Sequence, residues 1–136
     1  MLTENQVIRY FCDYLIANGY EVKQALNTKE KGIDVIAEKN GRKMKAEAKG
    51  ATSALTTSNR YGTEFSKNQV RNHVSVALFM ISKIMTKDND QNIDYVFVFP
   101  YNNNHINEIE SIRLVIRKLC IKVFFINENG DVREFR

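Results

Sequence analysis

Apolar residues recur at helical spacing almost from the first residue: Val7, Ile8, Phe11, Leu15 and Ile16 share one stripe until Asn18-Gly19 interrupts it. Thr3 and Gln6 stand three apart ahead of that stripe, a capping box that starts a first helix. Tyr20 to Leu26 then alternates as a strand does, and the stretch GIDVIAEKNGRKMKAEAKG, Gly32 to Gly50, supplies two more strands around Asn40-Gly41, a strong hairpin signal. Ala51 to Phe65 is rich in Ser, Thr, Gly and Asn and reads as a loop. A second capping box, Ser66 with Gln69, opens a long helix carrying Val70, Val74, Ala77, Leu78, Ile81, Ile84 and Met85 on one face. Asp94 to Phe99 reads as a buried strand stopped by Pro100, the only proline. Asn107 and Glu110 predict the cap of a third helix with Ile109, Ile112, Ile116 and Leu119. Ile121 to Ile126 and Val132 to Phe135 flank a second Asn-Gly turn at Asn129-Gly130. The expected order is αβββαβαββ, without repeats or linkers.

Three successive strands, then a helix leading into a buried strand, describe an α/β (α+β) mixed sheet with helices packed on it. The third and fourth strands, joined through a helix, can be parallel. With 136 residues, the chain is expected to form a single domain, 1–136. Hydrophobic residues at 43% and charged residues at 26% fit a globular protein, so function has to reside in a site. A net charge of +4 suits a polyanionic partner. The first residues lack the basic-then-apolar pattern of a leader, and no apolar run is long enough to span a membrane, so a cytoplasmic location is expected. Cys12 and Cys120 lack metal-site spacing and read as core residues in a reducing compartment.

The hairpin holds a conflict. A two-residue turn at Asn40-Gly41 sets Glu38 opposite Lys43, Val35 opposite Ala46 and Asp34 opposite Glu47. One face, with Ile33, Val35, Ala37, Met44, Ala46 and Ala48, is wholly apolar, and a slip of one residue would mix charge into it. The other face sets two carboxylates against each other, and opposed like charges destabilise a sheet. A hard divalent cation resolves that repulsion, because Mg²⁺ uses one or two protein carboxylates and fills its other positions with water and phosphate oxygens. Lys49 projects from the same face ~7 Å further along, where an ammonium could handle a water or a developing phosphate charge. The plainer alternative is a solvated sheet face neutralised by Lys43, Lys45 and Lys49.

Gly32-Ile33-Asp34-Val35-Ile36-Ala37 followed by Ala46-Glu47-Ala48-Lys49-Gly50 resembles the signature of the PD-(D/E)XK nuclease superfamily, the restriction-endonuclease-like fold. The resemblance spans the first helix through Phe99 and implies a three-layer core of order αβββαβ. It implies Asp34 and Glu47 as Mg²⁺ ligands, with Mn²⁺ as substitute, and Lys49 as the catalytic lysine. Ile33 stands where the signature's Pro would be. The resemblance further suggests Glu4, on the inward stripe of the first helix, as an additional acid of the site, although an acid in a helix's first turn is also favoured by the macrodipole. Gln69 is suggested as a residue passing the metal site, its capping box being an equally sufficient explanation.

Arg60, Tyr61, Lys67, Arg71 and His73 gather after Lys49 in sequence, the mixture of cations and aromatics that phosphate contact and base stacking require. The expectation is a Mg²⁺-dependent DNA nuclease, an endonuclease of restriction or repair type acting on double-stranded DNA, with a homodimer as one form it could take. The alternative is a nucleic-acid-binding module on the same fold that has lost catalysis. His105, in an asparagine-rich loop, receives no role.

Overall fold

The computed structural model describes residues 1–27, 32–53 and 62–136. The helix α1 (Glu4–Ala17) leads into β1 (Glu21–Ala25), β2 (Val35–Lys39), β3 (Arg42–Ala48), α2 (Lys67–Asp88) and β4 (Ile93–Pro100). After these come α3 (Asn103–Ser111), α4 (Arg113–Lys118), β5 (Lys122–Ile126) and β6 (Val132–Phe135). Both capping boxes form: the Thr3 hydroxyl accepts from Gln6 N, the Ser66 hydroxyl accepts from Gln69 N, and each glutamine returns a bond to its cap's backbone.

The strands make one six-stranded sheet in chain order, with β3–β4 and β4–β5 parallel and the other pairs antiparallel. Val35 pairs with Ala46 and Glu38 with Lys43, the register the Asn-Gly turn dictates. Asn40 (φ 51°) and Gly41 (φ 80°) are both left-handed there, as a type I′ turn requires. One face of the sheet presents Val35, Ala37, Met44, Ala46, Ala48, Val96 and Val98 to Val7, Phe11 and Leu15 of α1. The other presents Tyr95, Phe97 and Phe99 to Val70, Val74, Ala77 and Ile81 of α2 and to Ile109 and Ile116 beyond. The result is three layers, with α1 on one side and α2, α3 and α4 on the other. No described helix is long and apolar enough to cross a membrane.

Two expectations need correction. The third helix is two: Asn102, not Asn107, caps α3, its side chain accepting from His105 N, and the chain breaks at Ile112 (φ −120°, ψ 21°) before α4. The order is therefore αβββαβααββ. The expected turn at Asn129-Gly130 lies in a five-residue loop between paired Ile126 and Val132, and only Gly130 in it is left-handed. Cys120 is exposed, not core: it takes a left-handed φ of 56° that ends α4, while Cys12 is half-buried.

Candidate metal and nuclease site

Two backbone features deliver the site. The ladder between β2 and β3 ends at Val35, and the chain bends just before it, so Asp34 sits beyond the last pair with one carboxylate oxygen free to turn back. That oxygen, Oδ2, accepts the backbone N–H of Ala48 at 2.8 Å and is thereby held beside Glu47. The second feature is Gly50. A Cβ there would fall 2.4 Å from the backbone nitrogen of Glu4 and 2.7 Å from the carbonyl carbon of Thr3. Only a glycine lets the end of β3 touch the start of α1. Ala51 N then donates to Leu2 O at 2.7 Å, and this backbone joint carries Glu4 from one layer to the Lys49 side.

The four groups Glu4, Asp34, Glu47 and Lys49 consequently share one electrostatic neighbourhood. Glu47 is 6% exposed. Burial, reinforced by Asp34 and opposed by Lys49, pushes its carboxyl up to about 8. Burial also raises Asp34, against the Ala48 N–H and the Lys49 ammonium, which both favour its charged form. Glu4 is lifted to about 7 by burial first and by Asp34 second. Asp34 and Glu47 are hydrogen-bonded side chain to side chain. Such a bond between two carboxyls requires a proton, and the upward shift of Glu47 makes Glu47 its carrier and Asp34 the acceptor. Glu47 Oε1 is buried without any hydrogen-bond partner.

An orphaned buried carboxyl oxygen beside a second carboxylate is a donor set that fits a cation. Among the described residues no group of three or more His, Cys, Asp or Glu converges as a metal cage. The pair therefore suits an ion that accepts two carboxylates and completes its shell with water or phosphate, which is the habit of Mg²⁺ rather than of Zn²⁺ or Ca²⁺.

Beside Glu4 and Lys49 opens a cleft of about 150 Å³ lined also by Gly50, Thr52, Ser53, Phe65 and His73. His73 reaches it from α2 and meets the edge of Phe65, ring centroids 4.7 Å apart at 83°. The other residues expected at the site are placed differently. Gln69 is half-buried, and its Oε1 accepts from Ser66 N at 2.7 Å, so its carbonyl is occupied by the cap. Lys67 is exposed at the start of α2. Arg71 turns away from the cleft and pairs with the buried Glu108 of α3, both contacts 3.2 Å long. Arg60 and Tyr61 lie outside the described residues. Reading by sequence missed Thr52, Ser53 and Phe65, although Thr52 and Ser53 stand just past Gly50 and extending the motif by three residues would have included them.

No protein-family model and no curated protein matches the chain. Among solved structures, the crystal structure of a FdxN element excision controlling factor protein from Anabaena variabilis is similar, with a TM-score of 0.51, 13% identity and 98% of each chain covered. At that identity the likeness shows a shared fold.

Proposed function

We propose that this chain is a Mg²⁺-dependent deoxyribonuclease of the PD-(D/E)XK type, an endonuclease that hydrolyses phosphodiester bonds. The observation that carries the reading is Glu47: a carboxyl buried against Asp34, its Oε1 without a partner, on a strand whose other buried residues, Met44, Ala46 and Ala48, are apolar. Left unpaired, a buried polar atom costs about 1–3 kcal/mol, and nothing in the packing of β3 requires it. The resemblance of the Asp34 and Glu47-x-Lys49 pattern to that superfamily, the three-layer fold and a structural neighbour described as an excision controlling factor all favour the same reading.

Asp34 and Glu47 would hold the ion, which when bound supplies Lewis acidity and an activated water. Asp34 is fixed for that task by Ala48 N–H, so its orientation does not depend on the ligand. Glu47 gives up its proton on binding. Lys49 places a cation where negative charge grows on the phosphate, and the low-dielectric surroundings strengthen that contact. Glu4, poised near neutrality, can take up the proton of an attacking water.

The test is incubation with supercoiled, linear and branched DNA in Mg²⁺ or Mn²⁺. Nicking by the wild type and none by Glu47→Gln is the expected result; a wild type inert on all three substrates with both metals overturns the reading.

A further inference from the structure

The parallel strands β3, β4 and β5 end side by side, and a second cleft opens at that end of the sheet. Its volume is about 220 Å³, below the ~300–1,000 Å³ of sites that enclose a whole small ligand and of the order that one planar ring fills. Leu2, Ala51, Pro100 and Ile126 give it an apolar lining, and Tyr101 adds an aromatic wall. The backbone joint from Ala51 N to Leu2 O divides it from the cleft of Glu4 and Lys49. Tyr101 is 47% exposed and yet firmly held. Its N–H donates to Ile126 O at 2.8 Å, and its ring meets the buried Phe125 edge to face, centroids 6.1 Å apart at 81°. The exposed Arg133 of β6 sets its guanidinium 5.6 Å from the centre of the Tyr101 ring. Lys49 N donates to Val98 O at 3.1 Å, and Tyr101 follows Val98 closely along the chain, so Lys49 and Tyr101 stand on the order of 10 Å apart.

We propose that this cleft is a subsite for one unpaired nucleobase of the substrate strand, stacked on Tyr101, with Arg133 contacting the adjoining phosphate. The proposal rests on the nuclease reading for the identity of the strand and deepens it: the substrate carries single-stranded nucleotides beside the bond to be cut, as flaps and branches do. A lone exposed aromatic is ordinary on a protein surface. This one lines a cleft, carries a guanidinium on its ring and lies within reach of the next nucleotides on a strand held at Lys49. Every base has a π face, so an aromatic wall takes any base that is free to enter. The guanidinium adds a cation–π contribution, and its fork matches the oxygens of a phosphate. Glu64 and Glu128, which also line the cleft, decide which part of a nucleotide goes in. Carboxylates only accept, so they repel a phosphate and receive the N–H groups of a base edge; Glu128 already accepts the Met1 amino group at 2.9 Å. A base inside a duplex has to be unstacked and unpaired before it can enter, so single-stranded segments are preferred.

The chain has no tryptophan, so Tyr101→Trp puts a single reporter in the cleft and keeps a stacking face. Its fluorescence is followed in EDTA, where metal-dependent cleavage is off, as a short DNA single strand, a blunt duplex of the same sequence, a duplex with a single-stranded flap or a free deoxynucleoside monophosphate is added. The single strand and the flapped duplex should quench it and the blunt duplex should not. Anisotropy with a labelled single strand is read beside this for the wild type and three further variants. Tyr101→Ala should weaken binding by about tenfold or more. Tyr101→Phe keeps the ring and should recover the affinity, which also covers failure of the alanine variant to fold. Arg133→Ala should lower the slope of log affinity against log salt by about 0.7. No quenching by the single strand, equal quenching by the blunt duplex, or single-strand affinity unchanged in Tyr101→Ala overturns the proposal, even if the wild type nicks DNA in Mg²⁺. Quenching that the free mononucleotide matches at equal nucleotide concentration also overturns it and assigns the cleft to a small ligand. A wild type that never cuts, yet shows the quenching and the loss in Tyr101→Ala, overturns the nuclease reading and leaves the stacking subsite standing.

Discussion

Two carboxylates that serve the same face of one sheet meet opposite fates. Asp88, at the end of α2, accepts from Lys45 Nζ at 2.7 Å and from Tyr95 OH at 2.8 Å. Those partners outweigh its partial burial and hold its carboxyl below the usual range. Glu47, two residues along β3 from Lys45, is more deeply buried, shares a proton with Asp34 and is pushed up to about 8. The fold therefore has the means to satisfy an acid at this surface and does so where the acid anchors α2. Where it leaves the acid unsatisfied, the deficit is what the proposed metal ion would fill.

Four experiments break or sharpen that contrast. The largest effect is expected from Glu47→Gln, which should cut Mg²⁺-dependent DNA cleavage by on the order of 100-fold or more while leaving the metal-free melting temperature unchanged or raised. Asp88→Asn should do the reverse, retaining cleavage and destabilising by about 1–3 kcal/mol as Lys45 loses its partner. If both variants lost stability alike, the contrast would vanish. Asp34→Asn comes next: its amide oxygen can still accept Ala48 N–H, so apo stability should stay level or rise by up to about 1 kcal/mol, with cleavage lost and the Mg²⁺-induced rise in melting temperature largely gone. Thermal melts with and without millimolar Mg²⁺, beside a nicking assay, decide it.

A smaller effect lies in pH. Glu47 ordinarily titrates near 4.5 and does so near 8 in the fold, so between those values the folded protein keeps a proton that the unfolded chain has released. Its contribution to stability is therefore full below about 4.5 and is lost as pH rises through 8. Asp88, shifted downward, contributes above its ordinary value and loses that contribution only in acid. Without metal the wild type should melt progressively lower from about pH 6 to about pH 8.5, and Glu47→Gln should flatten that slope. Mg²⁺ has to displace the same proton, so its stabilising effect should grow over that interval; an Mg²⁺ effect independent of pH would count against the pair as ligands. The smallest effect is expected at Arg71, which sequence assigned to DNA and the fold pairs with Glu108. Arg71→Ala should cost little stability, as exposed ion pairs do, and leave the salt dependence of DNA binding unaltered, measured as affinity at two salt concentrations.

The hairpin register was legible because Asn40-Gly41 and the apolar run through Val35, Ala37, Met44, Ala46 and Ala48 constrain it independently, and either alone would have sufficed. Both capping boxes were legible because a cap is a local affair of four residues. The start of α3 was not. Three asparagines in a row offer three caps, Asn107 with Glu110 mimics a fourth, and what selects Asn102 is the bond from its side chain to His105 N together with the packing of Phe99 on that ring. His105 itself read as a loop residue for the same reason. The pairing of Arg71 with Glu108, 37 positions away, leaves no periodic trace in either helix. Glu4 could be suspected from its stripe, but not the means by which it arrives.

That means is a contact between two stretches of main chain. Because Gly50 abuts the peptide linking Thr3 to Glu4, the gap between the acid on α1 and the lysine past β3 is set by bare backbone, which does not change rotamer. The two halves of the site, encoded more than forty positions apart, are assembled to a fixed tolerance, like parts brought up against a machined stop. Side chains around the cleft can then vary in shape without altering the spacing of the groups to which the chemistry is proposed to belong. The molecule's freedom to diversify what it recognises thus depends on a position where any side chain at all would be too large.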